Sequence, residues 1–390
     1  MATTPSSGAT LFVSYNGLLE PLGRSQVMAY VLGLADGHHP MRILSFEKDG
    51  PESPRWGPTA SALREKGVVW SALRYHRRPA VLSTAFDVLV GTASALREVR
   101  CGVRLLHARS HVPALIAELV RLVTGVPYVF DFRGLLAEEY ADSGLWKRDG
   151  LLFHLTNAFE GRFLRSAAAV VVLTKRLQRE LGDAGTPATV IPCAVDLAAF
   201  RPADAGQPRP FDLVYSGSWS GRYLVDRVLQ FFAAYRAVRP EARLLLLLRG
   251  SEGDGPLAEG VERRSVGPEE VPAQLRQARA GLCFLPSGRA QEAASPVKVS
   301  EYLACGLPVV STPGVGDLDT LLPETRTGVV LHDMSPAAFE EAVRGLVRLL
   351  GDGDTAARCR ALAERVFDLQ GAVATYARVY QAVRSSSGVR

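Results

Sequence analysis

The chain has 390 residues, enough for two domains that each bury a core of their own. With 47% hydrophobic and 22% charged residues it has the balance of a folded globular protein, which excludes a disordered or fibrous chain. The net charge is only +5 and no nucleic-acid partner is implied, but that charge is unevenly spread.

Read in chain order, the first strand is "TLFVSY" (10–15), followed by the glycine loop "NGLLEPLG" and a helix patterned through Val27, Tyr30, Val31 and Leu34. Further short apolar runs follow: "MRILSF" (41–46), "VVWSAL" (68–73), "VRLLHA" (103–108), "PYVFDF" (127–132) and "AVVVLT" (169–174). Helical segments such as "VPALIAELVRLVTG" (112–125) separate most of them, so a mainly parallel sheet covered on both faces is predicted. Residues 191–212 carry four prolines and little periodicity, as a linker would. The alternation restarts with "DLVYSG" (212–217), a helix near 224–238, "ARLLLLLRG" (242–250), "RRSVG" (263–267), a helix near 269–279, "GLCFLPS" (281–287) and "PVVST" (308–312). Amphipathic helix closes the chain over 356–384. The fold class predicted is α/β, with two Rossmann-like domains whose parallel sheets face each other across a cleft. The boundaries are 1–195 for the first domain, 196–211 for a linker, 212–370 for the second, and 371–390 for a final helix returning to the first.

No stretch of about eighteen uncharged apolar residues exists, and no basic segment followed by an apolar run opens the chain. Neither a membrane span nor a secretory leader is expected. Five cysteines (101, 193, 283, 305, 359) are odd in number and never form C-x-x-C, which argues for a reducing compartment and against a zinc site. Four of them lie in apolar surroundings and read as small core residues. Residues 70–110 carry seven arginines (74, 77, 78, 97, 100, 104, 109) against Asp87 and Glu98. That stripe is either a set of solvated helix faces or a patch for an anionic acceptor or an anionic membrane surface.

Ligands of open parallel sheets bind outside the carboxyl ends of strands. Four such ends carry chemistry here. In "SPVKVSEYLACGLPVVS" (295–311), Ser295 is placed to cap a helix with Pro296 as its first residue. The N–H groups of Val297 and Lys298 and the helix dipole then suit a phosphate, and Lys298 adds a full charge. Glu301 shares its helix face and could accept hydrogen bonds from ribose hydroxyls; a plain surface ion pair is the alternative reading. In the first domain, Gly17 and Gly23 of the loop after Asn16 would let backbone approach a diphosphate or an acceptor, or the loop is a simple strand-to-helix connection. His107, Arg109 and His111 follow another strand, and Asp131 and Arg133 the next. The histidines could equally be packed core residues, and Asp131 and Arg133 a bracing ion pair. The acidic pairs in "DLD" (317–319) and "DGD" (352–354) read as turn residues, and no metal is implied.

The segment 295–311 resembles the donor site of the family 4 glycosyltransferases, which have the GT-B architecture and retain anomeric configuration. "SYNGLLEPLGRSQVMAYVLGLA" (14–35), "LLHARSHVPALIAE" (105–118), "FDFRGLLAEEYADSG" (130–144), "VIPCAVDLAAF" (190–200) and "DLVYSGSWSGRYLVDRVLQFF" (212–232) resemble other blocks of that family in the same order. The resemblance implies a nucleotide-diphosphate sugar as donor substrate, with no further cofactor. Glu301 would hold its ribose, and Gly217, Ser218, Arg222 and Arg249 would complete the donor site. Two departures stand out. The family's first glutamate would fall on Ala293, with Glu292 one place off. Its diphosphate-binding arginine and lysine would fall on Ser218 and Tyr223. Arg222, Arg249 or Lys298 must then supply the charge, Lys298 foremost.

On the acceptor side the resemblance implies Asn16, His107, Arg109, His111 and Arg133, with Lys298, Arg249, Arg109 and Asp131 as the catalytic set. The expected reaction is metal-independent and retaining, with the departing phosphate taking the acceptor proton. The acceptor would be a glycan or lipid-linked hydroxyl in surface polysaccharide or glycolipid synthesis. The enzyme would be cytoplasmic, attached loosely to the inner membrane face through "RYHRRPAVL" (74–82). A GT-B nucleotide-sugar epimerase and a non-catalytic sugar-nucleotide-binding partner are the alternatives. No tight G-x-G-x-x-G follows the first strand, which argues against a nicotinamide dehydrogenase.

Overall fold

The computed structural model describes residues 8–218, 224–248 and 257–386. The first half forms a seven-stranded parallel sheet from β1 (Ala9–Ser14), β2 (Met41–Glu47), β3 (Val69–Arg74), β4 (Val103–Arg109), β5 (Tyr128–Phe132), β6 (Ala169–Val172) and β7 (Ala188–Val190), in the order β3-β2-β1-β4-β5-β6-β7. The second half forms a six-stranded parallel sheet from β8 (Phe211–Gly217), β9 (Leu244–Leu248), β10 (Val261–Arg264), β11 (Ala278–Cys283), β12 (Val309–Ser311) and β13 (Gly328–Val330), in the order β10-β9-β8-β11-β12-β13. Both are doubly wound α/β sheets, so the fold predicted from the alternation is the fold observed. The winding reverses between β1 and β4 in one and between β8 and β11 in the other, and those two reversals mark where ligands can enter.

Strands buried on both faces need apolar side chains at successive positions. In β1, Leu11 and Val13 enter one core and Phe12 the opposite one. In β9, Leu245 and Leu247 face one side and Leu244, Leu246 and Leu248 the other. The last helix, Leu369–Ser386, buries Val373, Tyr376 and Tyr380 beside Val27, Tyr30 and Leu34 of the first domain. Gly33 makes that approach feasible, since a Cβ there would lie 2.7 Å from Val373.

Local details differ from the sequence reading. The helix expected near 269–279 is a single turn, Val271–Leu275, and β11 begins at Ala278, ahead of the expected 281. Ala278 and Ala280 are small enough to pass for helix in sequence, yet they pair with Phe211 and Leu213 of β8. Helix Ala80–Arg100 is long and apolar enough to cross a membrane by length and composition, although it holds no uncharged span. It packs Val88 and Ala95 onto the first sheet and keeps Asp87 and Glu98 buried with polar partners. Cys193, Cys283, Cys305 and Cys359 are buried and Cys101 is exposed, all as free thiols.

Candidate active site

At the winding reversal of the second sheet, β8 ends at Gly217 beside the helix Val297–Ala304. Lys298 is only 9% exposed, and its ammonium lies 4.2 Å from the centroid of the Tyr215 ring. Gly217 provides the room: a Cβ there would sit 3.0 Å from Lys298 Nζ and 2.9 Å from the Tyr215 hydroxyl. The helix is fixed against the sheet by Tyr302, whose hydroxyl accepts a 2.7 Å hydrogen bond from the Ser216 N–H and whose ring covers Gly281. Glu301, one turn beyond Lys298, is half-buried, as are Ser218, Pro296 and Val297. Arg222, Tyr223 and Arg249 lie outside the described residues.

Ser295 does not cap this helix. Pro296 holds the cap position without a side-chain bond, and Ser295 Oγ accepts instead from the N–H of Cys193 in the first domain, at 3.1 Å. That bond lets Ser295 tie the two halves together. A cavity beside it is lined by Leu173, Thr174 and Pro192 from one half and Ser295 and Pro296 from the other, but not by Lys298 or Glu301.

The facing edge of the first domain is organised by a residue absent from the expected set. Glu47 ends β2, is 3% exposed, and accepts from the N–H groups of Leu18 and Leu19 at 2.8 and 3.3 Å and from Ser45 Oγ at 2.6 Å. A Cβ on Gly17 would collide with the Glu47 carboxylate, and one on Gly23 with the Gly17 carbonyl. Packing inside the loop therefore accounts for both glycines, and two of the amides expected to face a diphosphate are already engaged. A charged residue closing an apolar strand, as in "MRILSFE", was the available signal for Glu47.

His107 is fully buried and stacks on Phe12, with Nδ1 2.7 Å from Tyr380 Oη and Nε2 3.3 Å from Asp131 Oδ2. Burial lowers its basicity, so the ring is neutral at pH 7. His111 is buried too, with Nε2 2.9 Å from Glu160 Oε2. Both rings are enclosed and engaged by protein partners, as the packed-core alternative describes. Asp131 is buried 3.4 Å from Arg133. Burial pushes the Asp131 carboxyl up, but the Arg133 charge and the His107 hydrogen bond outweigh it and hold it down at about 2. An acid held that firmly ionised braces the strand end and does not take up protons near neutrality, so the ion-pair reading describes it better than the catalytic one. Arg133 also donates to Cys193 Sγ at 3.1 Å, and the nearly buried Arg109 donates to Asn16 Oδ1 at 3.4 Å. Between them, Ser110 holds φ 74°, a conformation costing about 1–3 kcal/mol that non-glycine residues adopt chiefly at functional turns.

The two halves meet along a polar seam. Asp317 accepts from the N–H groups of Lys175 and Arg176 at 2.7 and 3.0 Å and so caps the helix Lys175–Asp183 of the other domain. Arg176 pairs with Glu292 at 2.7 Å, and Arg289 bridges Glu292 and Glu180. Ala293 is buried in the first domain's core. Asp319 accepts from the Gly314 N–H, and Asp352 pairs with Arg358. The acidic pairs are thus caps and turns, and among the described residues no group of three metal-ligating side chains converges.

Two doubly wound α/β domains, each with a winding reversal in its parallel sheet, define a GT-B protein. A family model described as glycosyl transferase 4-like domain matches residues 23–194, and one described as glycosyl transferases group 1 matches residues 211–352; the chain belongs to the family 4-like glycosyltransferases. Solved structures agree in fold. Sucrose-phosphate synthase from Thermosynechococcus elongatus superposes with TM-score 0.73 at 16% identity, over 97% of this chain and 100% of that one. A glycosyltransferase from Rickettsia africae gives 0.71 at 12% identity, over 97% and 99%. Anabaena HepE, solved in complex with UDP and glucose, gives 0.67 at 14% identity, over 96% and 99%. No curated protein matches the sequence.

Proposed function

We propose that the protein is a retaining glycosyltransferase that moves a sugar from a nucleotide-diphosphate sugar to a hydroxyl of a glycan or lipid-linked acceptor, at the cytoplasmic face of a membrane and in surface polysaccharide synthesis. One observation carries the donor assignment: a buried ammonium, Lys298, at the carboxyl end of β8, with Glu301 one turn further along the same helix. The HepE complexes with UDP and with UDP-glucose support the same donor class.

In this reading the anomeric carbon loses its bond to the diphosphate oxygen and gains one to the acceptor oxygen on the same face. The acceptor proton passes to the departing diphosphate. Negative charge grows on the leaving group, and Lys298, already shielded from water, needs no reorganisation to meet it. Glu301 would hold the ribose hydroxyls. No metal is required where a lysine supplies the charge, and the carboxylates of Asp317, Asp319 and Asp352 are engaged elsewhere.

The burial of Ala293 and the pairing of Glu292 with Arg176 and Arg289 favour a second reading, a non-catalytic sugar-nucleotide-binding partner, because no carboxylate is left at that place for the sugar. Thermal-shift titration with UDP-, GDP- and dTDP-glucose separates the claims when paired with product analysis. At least one donor should raise Tm by mass action, and Lys298→Ala and Glu301→Ala should abolish the rise without unfolding the protein. No stabilisation by any donor would overturn the donor assignment. Stabilisation without hydrolysis or transfer would favour the binding partner.

A further inference from the structure

With His107 and His111 enclosed, the carboxyl edge of the first sheet presents a different set of side chains to the cleft. Tyr15 follows β1, Lys48 follows β2, and Tyr75 and His76 follow β3. Tyr15 meets Tyr75 edge-on at 5.2 Å, and Lys48 Nζ lies 5.6 Å from the Tyr75 ring centroid. Tyr140, 37% exposed, stacks on Trp146 at 4.4 Å, and burial followed by the neighbouring Tyr75 raises its phenol. Tyr140 belongs to the helix Leu136–Asp142, whose Asp142 accepts from the Ala290 N–H of the other domain at 3.3 Å. Tyr15 and Tyr75 thus make an aromatic wall at the sheet edge, and Tyr140 and Trp146 a second pair towards the seam.

A buried carboxylate sets the polar end of this wall. Asp87 is 1% exposed and accepts from Tyr15 Oη at 2.8 Å, the His76 N–H at 3.1 Å and His76 Nδ1 at 2.6 Å. The Asp87 carboxylate engages the ring at Nδ1, which leaves Nε2 as the ring nitrogen open to a ligand. The His76 side chain is 40% exposed, and among the described residues nothing is hydrogen-bonded to Nε2. Three donors satisfy the buried acid and together fix the orientation of the His76 ring.

We propose that this wall is an acceptor subsite for a pyranose ring. The C–H face of the sugar lies against Tyr75, and one of its hydroxyls hydrogen-bonds to His76 Nε2, with Asp87 and Tyr15 as positioning residues. Rings for the apolar face plus a few fixed polar atoms for the hydroxyl rim is what a site for such a ligand requires. The inference rests on the glycosyl-transfer reading for its role, but its test stands apart from the donor.

The probe is saturation-transfer NMR of the full chain with methyl glycosides of glucose, galactose and mannose, in the presence of UDP. At least one glycoside should receive saturation at its ring C–H protons. The signal should fall about five-fold in Tyr75→Ala, the loss of one ring contact, and should survive in Tyr75→Phe, which keeps the ring face. Asp87→Asn, which can donate to the imidazole and move its proton, should lose as much as His76→Ala. Equal signals in all variants, or none from any glycoside while UDP still raises Tm, would overturn the proposal. A glycoside signal without nucleotide stabilisation would support the subsite and count against the donor assignment.

Discussion

Where a side chain would begin at Gly217, Lys298 has its ammonium, and the same economy recurs at Gly17 against Glu47. These residues are explained by what lies beside them. Asp131 is the clearest case with a measurable consequence. Its carboxyl is held at about 2, below the value of an unfolded aspartate. Stability from that difference, about 2 kcal/mol, is present above pH ~4 and is lost as the pH falls towards 2. Asp131→Asn should flatten the acid limb of a Tm-against-pH profile and lower stability at neutral pH, since Arg133 then lacks its partner. An unchanged acid limb would show that the brace contributes nothing. The glycine loop and the Lys298–Glu301 spacing could be read from sequence, because both are local patterns. The hold of Glu47 on that loop could not be, because the amides it accepts from lie 28 residues away or more.

Helices here are held by contacts that originate outside them. Val297–Ala304 lacks a side-chain cap and is anchored through Tyr302 and Gly281 instead. Lys175–Asp183 has two caps, Thr174 Oγ1 on the Leu177 N–H and Asp317 on the first two amides, and the second comes from the other domain. Replacing Asp317 by alanine should cost about 1 kcal/mol and speed amide exchange at Lys175 and Arg176. Unchanged exchange there would mean that the cap is not made in solution. The strand-and-helix alternation was legible because buried parallel strands and amphipathic helices have different periods. The Ala278–Ala280 stretch was not, since small apolar residues satisfy both.

Across the whole molecule the apolar surface is one-sided. Among the described residues every large hydrophobic side chain that is strongly exposed, except Val238, lies in the first domain, including Val81, Leu82, Phe86 and Leu89 on the helix Ala80–Arg100 and Leu151 and Leu155 on the helix Leu151–Ser166. Arg77, Arg78 and Lys147 are exposed nearby in sequence. An apolar face with cations at its border suits an anionic bilayer. Flotation with phosphatidylcholine vesicles containing phosphatidylglycerol should carry the protein up at low salt. Leu82→Asp with Phe86→Asp should abolish that, and no binding of the unaltered protein at low salt would remove the membrane from the proposed function. The amino-acid sequence by itself determined the two doubly wound domains, the helix that carries Lys298 and Glu301, and the family, because each is written in residues close together along the chain. Only the tertiary structure decided that His107 and His111 are enclosed, that Ser295 and Asp317 join the halves, and that Tyr15, Tyr75, His76 and Asp87 come together. Those outcomes depend on which strand ends become neighbours and which side chains lose water, and long-range packing settles both.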